Sequence, residues 1–449
     1  MVQKLEKAAV KGLDAYLRKF EKFEREPTQP SWVFPLRKAG IARFAELGFP
    51  TLKDEDWRFT NVAPIAKLPF LPAFSASQNG WSADDIRKFT FGNLTANRLV
   101  FIDGHYVSDL STPLSGKIRA ESLASALASD SSLLEKHLGQ HAQTEHNAFT
   151  ALNTAFFQDG ALIHVPPGVT VKDPIHLLFL STGQETGASS HPRNLIVAEK
   201  GSHLTLIESH ISNGNAPYFT NAVTEMIVGD KAVVEHCKFQ DESLNAFHMA
   251  ALHAHLERGS NFISHSISVG AKLARNNIRT ALMGEGLECI LNGLYLTQGD
   301  QLADHHMVVE HAQPRCNSHE YFNGILSGRS KGVFHGRILV RQAAQKTDAK
   351  QTNKNLLLSE DATADTKPQL EIYADDVKCT HGATVGQLNE ESIFYLRARG
   401  IGADTARRML IHAFAGEIIE RIRFAPLREE LDKIVWERLE ASAHLAQAK

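Results

Sequence analysis

The sequence predicts a mainly β chain, read as a parallel β-helix core flanked by an α-helical domain at each end, and three observations predict it. First, a small turn ending in glycine recurs ahead of a strand of six to eight residues: Gly201 before His203 to Glu208, Gly229 before Ala232 to Phe239, Gly259 before Phe262 to Val269, and Gly286 before Leu287 to Leu294. These glycines stand 28, 30 and 27 residues apart, and Gly328 before Val333 to Val340 repeats the device. A period of roughly 20 to 50 residues marks a solenoid or a propeller. Second, no WD or kelch signature accompanies the repeat, and alternating runs such as Ala250, Leu252, Ala254, Leu256 suit a narrow solenoid interior. Third, helical periodicity is confined to the two ends and one interlude. Period and alternation alone leave an antiparallel sandwich or barrel open.

From Lys4 to about Phe23 apolar residues recur at helical spacing (Leu5, Ala9, Leu13, Leu17, Phe20) until Pro27 and Pro30 break the pattern. A second helix is expected from Leu36 to Leu47. The stretch from Asp54 to Pro72 mixes Trp57, Phe59 and Phe70 with Pro64 and Pro69, an irregular but packed connection. Arg98 to Ile102 and His105 to Leu110 flank Asp103-Gly104, the signature of a hairpin closed by a tight turn. A helical interlude is expected near 121–157, and short alternating segments then run to Val385. After Gln387 come a helix from Glu391 to Arg399 stopped by Gly400, a second from Asp404 to about Phe424, and, beyond Pro426, a third from Leu427 to about Leu445. Ile411, Phe414, Ile418 and Ile422 mark one apolar face of the second. The expected domains are therefore 1–95, a β core over 96–386 with its helical insertion, and 387–449.

Bulk properties exclude several function classes. At 449 residues the chain exceeds the size at which one core keeps growing, so two or three folding units are expected. Lys plus Arg number 48 against 51 Asp plus Glu, which gives no electrostatic footprint for nucleic acid or an anionic membrane. Cys237, Cys289, Cys316 and Cys379 are widely spaced with no CxxC pair, which fits neither a disulfide framework nor a zinc site but a reducing cytoplasm. Met1 to Phe20 carries Glu6 and Asp14 among its lysines and no apolar run, which argues against a signal or transit peptide.

Phosphate-binding GxxxxGK[ST], dinucleotide-binding GxGxxG, HExxH and GxSxG are all absent, so no nucleotide loop, metalloprotease or hydrolase motif supports an enzyme. The 22 histidines include His253-Ala-His255 and Asp304-His305-His306. Side chains two apart on a strand share a face, which would suit a stand-alone, cupin-like metal enzyme. Glu257, only two residues beyond His255, does not fit that pattern, and histidines bonded to backbone or neighbours on solenoid faces are the preferred reading. Val377, Cys379 and His381 alternate on one strand before Gly382. Two ligands about 7 Å apart cannot complete a four-ligand iron or cluster site, so groups from another chain would be needed. The alternative is a buried Cys379 and a core His381. Arg397, Arg399, Arg407 and Arg408 gather at the bend of the C-terminal helices, a solvated face or a dock for an acidic partner.

The stretch Asp376-Val-Lys-Cys-Thr-His-Gly-Ala-Thr-Val-Gly386 followed by Ile393-Phe-Tyr-Leu-Arg-Ala-Arg-Gly400 closely resembles the SufB/SufD family. The likeness extends to Asn292-Gly-Leu-Tyr-Leu, Asp304-His-His, His319 to Gly324 and Gly332-Val-Phe-His-Gly336, so it spans at least 290–421. Asp54-Glu-Asp-Trp-Arg-Phe-Thr60 is similar to the N-terminal region of D-type members. Gly382 and Cys379 also look D-like, where B-type chains read THEATVG. The resemblance implies a right-handed parallel β-helix between helical domains, a B-type paralogue as partner, and an ABC ATPase of the SufC type docked on the C-terminal helices. Under it Ile393, Phe394, Tyr395, Leu396, Arg397 and Arg399 become the docking segment, and ATP hydrolysis belongs to the partner. It further implies a nascent iron–sulfur cluster, or iron, shared transiently at the paired β-helices, with His381 and Cys379 as this chain's ligands. A reduced flavin on the whole complex and a homodimer of the isolated chain are additional expectations.

Overall fold

Strands one repeat apart lie side by side and parallel. His203–Ser212 pairs with Val233–Asp241, that strand with Asn261–Ser268, and that in turn with Glu288–Thr297. Between them in sequence, Phe247–Leu256, Leu273–Leu282, Leu302–His311, Lys331–Val340 and Thr363–Ile372 line a second sheet with the same parallel register. The computed structural model describes residues 2–447 except 25–29, 69, 73–80, 92–96, 113–115, 143 and 185. It contains a β-solenoid of about eight turns. This pairing removes the antiparallel sandwich, and with it a cupin-like barrel. Antiparallel ladders among the described residues are confined to the first coils: the Asp103-Gly104 hairpin pairs Phe101 with Tyr106, and Arg119–Ser122 pairs with Ala161–Val165.

The turn glycines do what the repeat requires. Gly201, Gly259, Gly286 and Gly328 have φ of 67°, 64°, 69° and 67°, a left-handed conformation that costs other residues energy. Gly229 differs: the left-handed residue of its turn is Lys231, and Gly229 is small because a Cβ there would lie 2.9 Å from the Lys200 nitrogen. Inside, Leu252, Ala254 and Leu256 pack with Leu206, Val234, Phe262, Met307 and Phe334 in one continuous apolar core. Each inward residue stacks about 4.8 Å from its counterpart one turn away.

Among the described residues ten α-helices flank the solenoid: α1 Val2–Phe23, α2 Val33–Leu47, α3 Ala63–Lys67, α4 Ala83–Arg87, α5 Leu123–Ser129, α6 Ser132–His137, α7 Ala148–Phe156, α8 Glu390–Arg397, α9 Ala403–Ile419 and α10 Ala425–Gln447. The expected interlude is thus α5, α6 and α7. Phe20, Phe44, Phe149 and Phe156 of α1, α2 and α7 join Phe219, Phe247 and Met249 on the outer face of one sheet. On the opposite face, Ile411, Ile418 and Ile422 pack with Leu294, Ile325 and Leu356, and Phe414 is partly buried beside them, so the apolar stripe read from the sequence is the docked one. α9 ends at Ile419, and Pro426 lies in the first turn of α10, which starts at Ala425 and needs no N–H from it there. Pro27, Pro69 and the expected boundary at 95/96 lie outside the described residues. No described helix is long and apolar enough to cross a membrane.

Candidate functional site

Among the described residues nothing caps the last coil of the solenoid. Thr363–Ile372 and Lys378–Gly386 are the last strands of their sheets. Lys331–Val340, one turn earlier, is almost wholly buried, whereas residues along the two last strands are half-buried or exposed. An uncovered pair of long strand edges is a template for another chain.

Both sequence-predicted ligands stand on this last coil. Cys379 pairs in register with Ala349, and His381 with Gln351. Cys379 is half-buried against Ile338 and Ala349, which fixes its face as the inward one. His381 shares that face by strand alternation, yet it is exposed because no further coil covers it. Burial, aided by the charge of Asp348, pushes the Cys379 thiol up, which favours its protonated form.

Beneath His381 runs a polar column that local reading of the sequence did not find. Glu320, Gln351 and His381 occupy one stacked position in three successive turns. Glu320 is fully buried, and Gln351 Nε2 donates to its Oε2 at 2.8 Å. Desolvation pushes the Glu320 carboxyl up to about 7. Gly336 keeps the space open: a Cβ there would stand 2.1 Å from Gln351 Nε2. The available signal was the spacing, 31 and then 30 residues, one turn each.

Of the expected docking segment, Ile393 is buried and Leu396 half-buried, anchoring α8, while Phe394 is 72% and Tyr395 56% exposed. The Arg399 guanidinium lies 3.4 Å from the Tyr395 ring centroid, and Arg397, Arg407 and Met409 are exposed close by in sequence. Exposed aromatics rimmed by arginine have the composition of an interface core.

The histidines divide as the interior demands. His210 bonds Glu208 at 2.8 Å, His248 lies 2.7 Å from Glu242, and Lys238 Nζ bonds His248 at 2.9 Å, all inside the solenoid. Burial drives His176 and His305 down to about 3 and His248 to about 4, so these rings are neutral. His305 turns inward between Tyr295 and Phe322, whereas Asp304 and His306 face outward. His253 and His255 share the outer face, as expected from their spacing, but do not converge with a third ligand among the described residues. Asp304 is tied to Arg275 Nη1 at 2.6 Å and to the Thr60 hydroxyl.

Fold and site together define a β-solenoid protein clad in helices, with Cys379 and His381 on its uncovered last coil. The description "SUF system FeS cluster assembly, SufBD core domain" matches residues 179–414, and "SufBD protein N-terminal region" matches 14–177. The chain is 35% identical over 419 residues to the iron-sulfur cluster assembly SufBD family protein slr0076 of Synechocystis, covering 91% of each. It is 33% identical over 424 residues to the iron-sulfur cluster assembly protein SufD of Escherichia coli, covering 94% of this chain and 96% of that one. A plant relative, ABCI7 of Arabidopsis thaliana, is 30% identical over 414 residues, 89% of this chain and 86% of that one. The chain therefore belongs to the SufB/SufD family of iron–sulfur cluster assembly proteins, as a D-type member.

Proposed function

We propose that the chain is a non-catalytic cytoplasmic scaffold that pairs its open last coil with a B-type paralogue and carries a SufC-type ATPase on its C-terminal helices. The observation that carries this reading is His381: exposed, on the inward register of the last coil, two residues along the strand from Cys379. Two such groups about 7 Å apart make half a site, and a partner coil laid on the same edge would bring the remainder. Iron and sulfide are the cargo of that shared site. The exposed Phe394 and Tyr395 with Arg397 and Arg399 support the ATPase dock, and opening of the paired edges by ATPase motion would admit the cargo.

Replacing His381 by Ala in the co-expressed complex is expected to cut cluster formation at least about tenfold, read by cluster absorbance under anaerobic reconstitution, with Cys379→Ala giving a smaller loss. Wild-type cluster yield in His381→Ala would sink the site. A paired substitution, Phe394→Asp with Tyr395→Asp, is expected to abolish co-purification with the ATPase while leaving the circular dichroism spectrum unchanged, because neither ring is part of the core. Undiminished retention of the ATPase would refute the dock.

A further inference from the structure

A second metal-competent cluster lies on the outer face of the solenoid, away from the open coil. His306 and His335 are register partners on adjacent parallel strands, so their side chains rise from the same face one turn apart. Their rings meet edge to face with centroids 4.2 Å apart. Asp56, on the single helical turn Glu55–Trp57, places Oδ1 3.9 Å from His306 Nε2. One ligand atom from each of the three residues lies within 4.8 Å of the other two.

The arrangement is built, not incidental. Trp57 lies beneath the Arg275 guanidinium, 3.8 Å from ring centroid to Cζ, and Arg275 Nη1 also donates to the Asp56 carbonyl at 2.8 Å. Thr60 and Arg275 both hold Asp304, on the same strand as His306. The Asp54-to-Thr60 motif, which the open-coil site leaves unused, thus docks Asp56 over the two imidazoles.

Two further observations point to a ligand. His306 is only 8% exposed, yet neither of its ring nitrogens is hydrogen-bonded: Nδ1 has no partner, and Nε2 stands 3.9 Å from Asp56 Oδ1. His335 Nε2 bonds Gln369 Oε1 at 2.7 Å, the outer support that fixes a ligating imidazole and leaves its Nδ1 lone pair available. Nearby cations are each paired to a carboxylate: Arg275 to Asp304, Lys367 to Glu55, Arg337 to Glu371 and Arg279 to Glu310. That leaves Asp56 as the anion facing the imidazoles. The cluster borders a cavity of about 450 Å³ whose lining also includes His146 and His253.

We propose that Asp56, His306 and His335 bind one divalent transition-metal ion of the Fe(II) class. Two imidazoles and one carboxylate on one side of an ion, with the other positions open to the cavity, are the donor set that suits Fe(II). Bonds of about 2.0–2.2 Å place adjacent donors about 3 Å apart, so the three must close from separations of up to 4.8 Å, and Asp56, the exposed member, has the freedom to move. This site does not rest on the reading given for His381 and Cys379.

The test uses the full chain carrying Cys379→Ala and His381→Ala, so that the open-coil pair contributes nothing, titrated anaerobically with Co(II) as a visible stand-in and then with Fe(II) by calorimetry. Saturation at one equivalent is expected, weakened at least about 100-fold by Asp56→Asn or His335→Gln and about tenfold by Gln369→Ala. Absence of saturable binding, or one-equivalent binding that survives Asp56→Asn, overturns the proposal. Asp56 is exposed, so that variant decides the matter even if His335→Gln fails to fold.

Discussion

Glu225→Ala is expected to lower the stability of the chain by about 3–5 kcal/mol, the cost of stranding a buried charge. Arg193 and Glu225 are both fully buried, with Arg193 Nη2 and Nε donating to Glu225 Oε1 at 2.6 and 3.1 Å. The remaining guanidinium nitrogen, Nη1, donates to Asn153 Oδ1 and Thr154 Oγ1 of α7. The carboxylate also accepts backbone N–H groups from Gly139, His141 and Ala142. Burial opposes its ionisation, but Arg193 and these three amides outweigh the penalty and hold it below the usual carboxylate range. Alanine would leave a guanidinium without a counter-charge and three amides without an acceptor. Because the pair ties α7 and the segment before it to the solenoid, the loss should appear in urea unfolding as an earlier transition of the insertion. Glu225→Gln, which keeps an acceptor, should cost less. A midpoint shift in Glu225→Ala equivalent to under about 1 kcal/mol would contradict the argument.

The same pair explains how much of this molecule was legible in its sequence. Glu225 stands 32 residues after Arg193, His335 29 after His306, and Gln351 31 after Glu320. In a solenoid these intervals are one turn, and side chains so spaced sit on neighbouring strands. Reading along one strand compares residues two apart, so it found Cys379 with His381 and His253 with His255 but not the columns that cross the turns. It also grouped Asp304, His305 and His306, which strand alternation sends to opposite faces. What was legible depended on local physics: left-handed turns at Gly201 and Gly259, the Asp103-Gly104 hairpin, and the Ile411 to Ile422 stripe. The docking of Asp54 to Thr60 was not, since Thr60 meets Asp304 across 244 residues of chain with no pattern linking them.

The column under His381 makes a second large effect, a dependence of stability on pH that one substitution should erase. Glu320 is expected to ionise near 7 in the folded chain and near its ordinary value of 4.5 when unfolded. A carboxyl with a raised folded value binds its proton more tightly in the native state, so its contribution is complete below about pH 4.5. It is then lost as pH climbs, and above about pH 7 no further change follows. Over that window the loss is about 3 kcal/mol, at roughly 1.4 kcal/mol per pH unit. The geometry agrees with a protonated native state: Glu320 Oε1 and Gln351 Oε1 are buried acceptors without partners, and a proton on the carboxyl supplies a donor between them. Glu320→Gln provides a permanent donor in the same volume, and Gly336 leaves room for it. Wild type and Glu320→Gln should therefore have similar stability near pH 5, with the variant about 3 kcal/mol more stable at pH 8. Denaturant midpoints measured from pH 5 to pH 8 read this directly, and parallel curves for the two proteins would mean that Glu320 is ionised in the native chain. Because Gln351 lies between Glu320 and His381, neutralising the column also sets the charge that a metal at the open coil would meet, and a neutral Glu320 leaves that charge to His381, Cys379 and whatever chain completes the site.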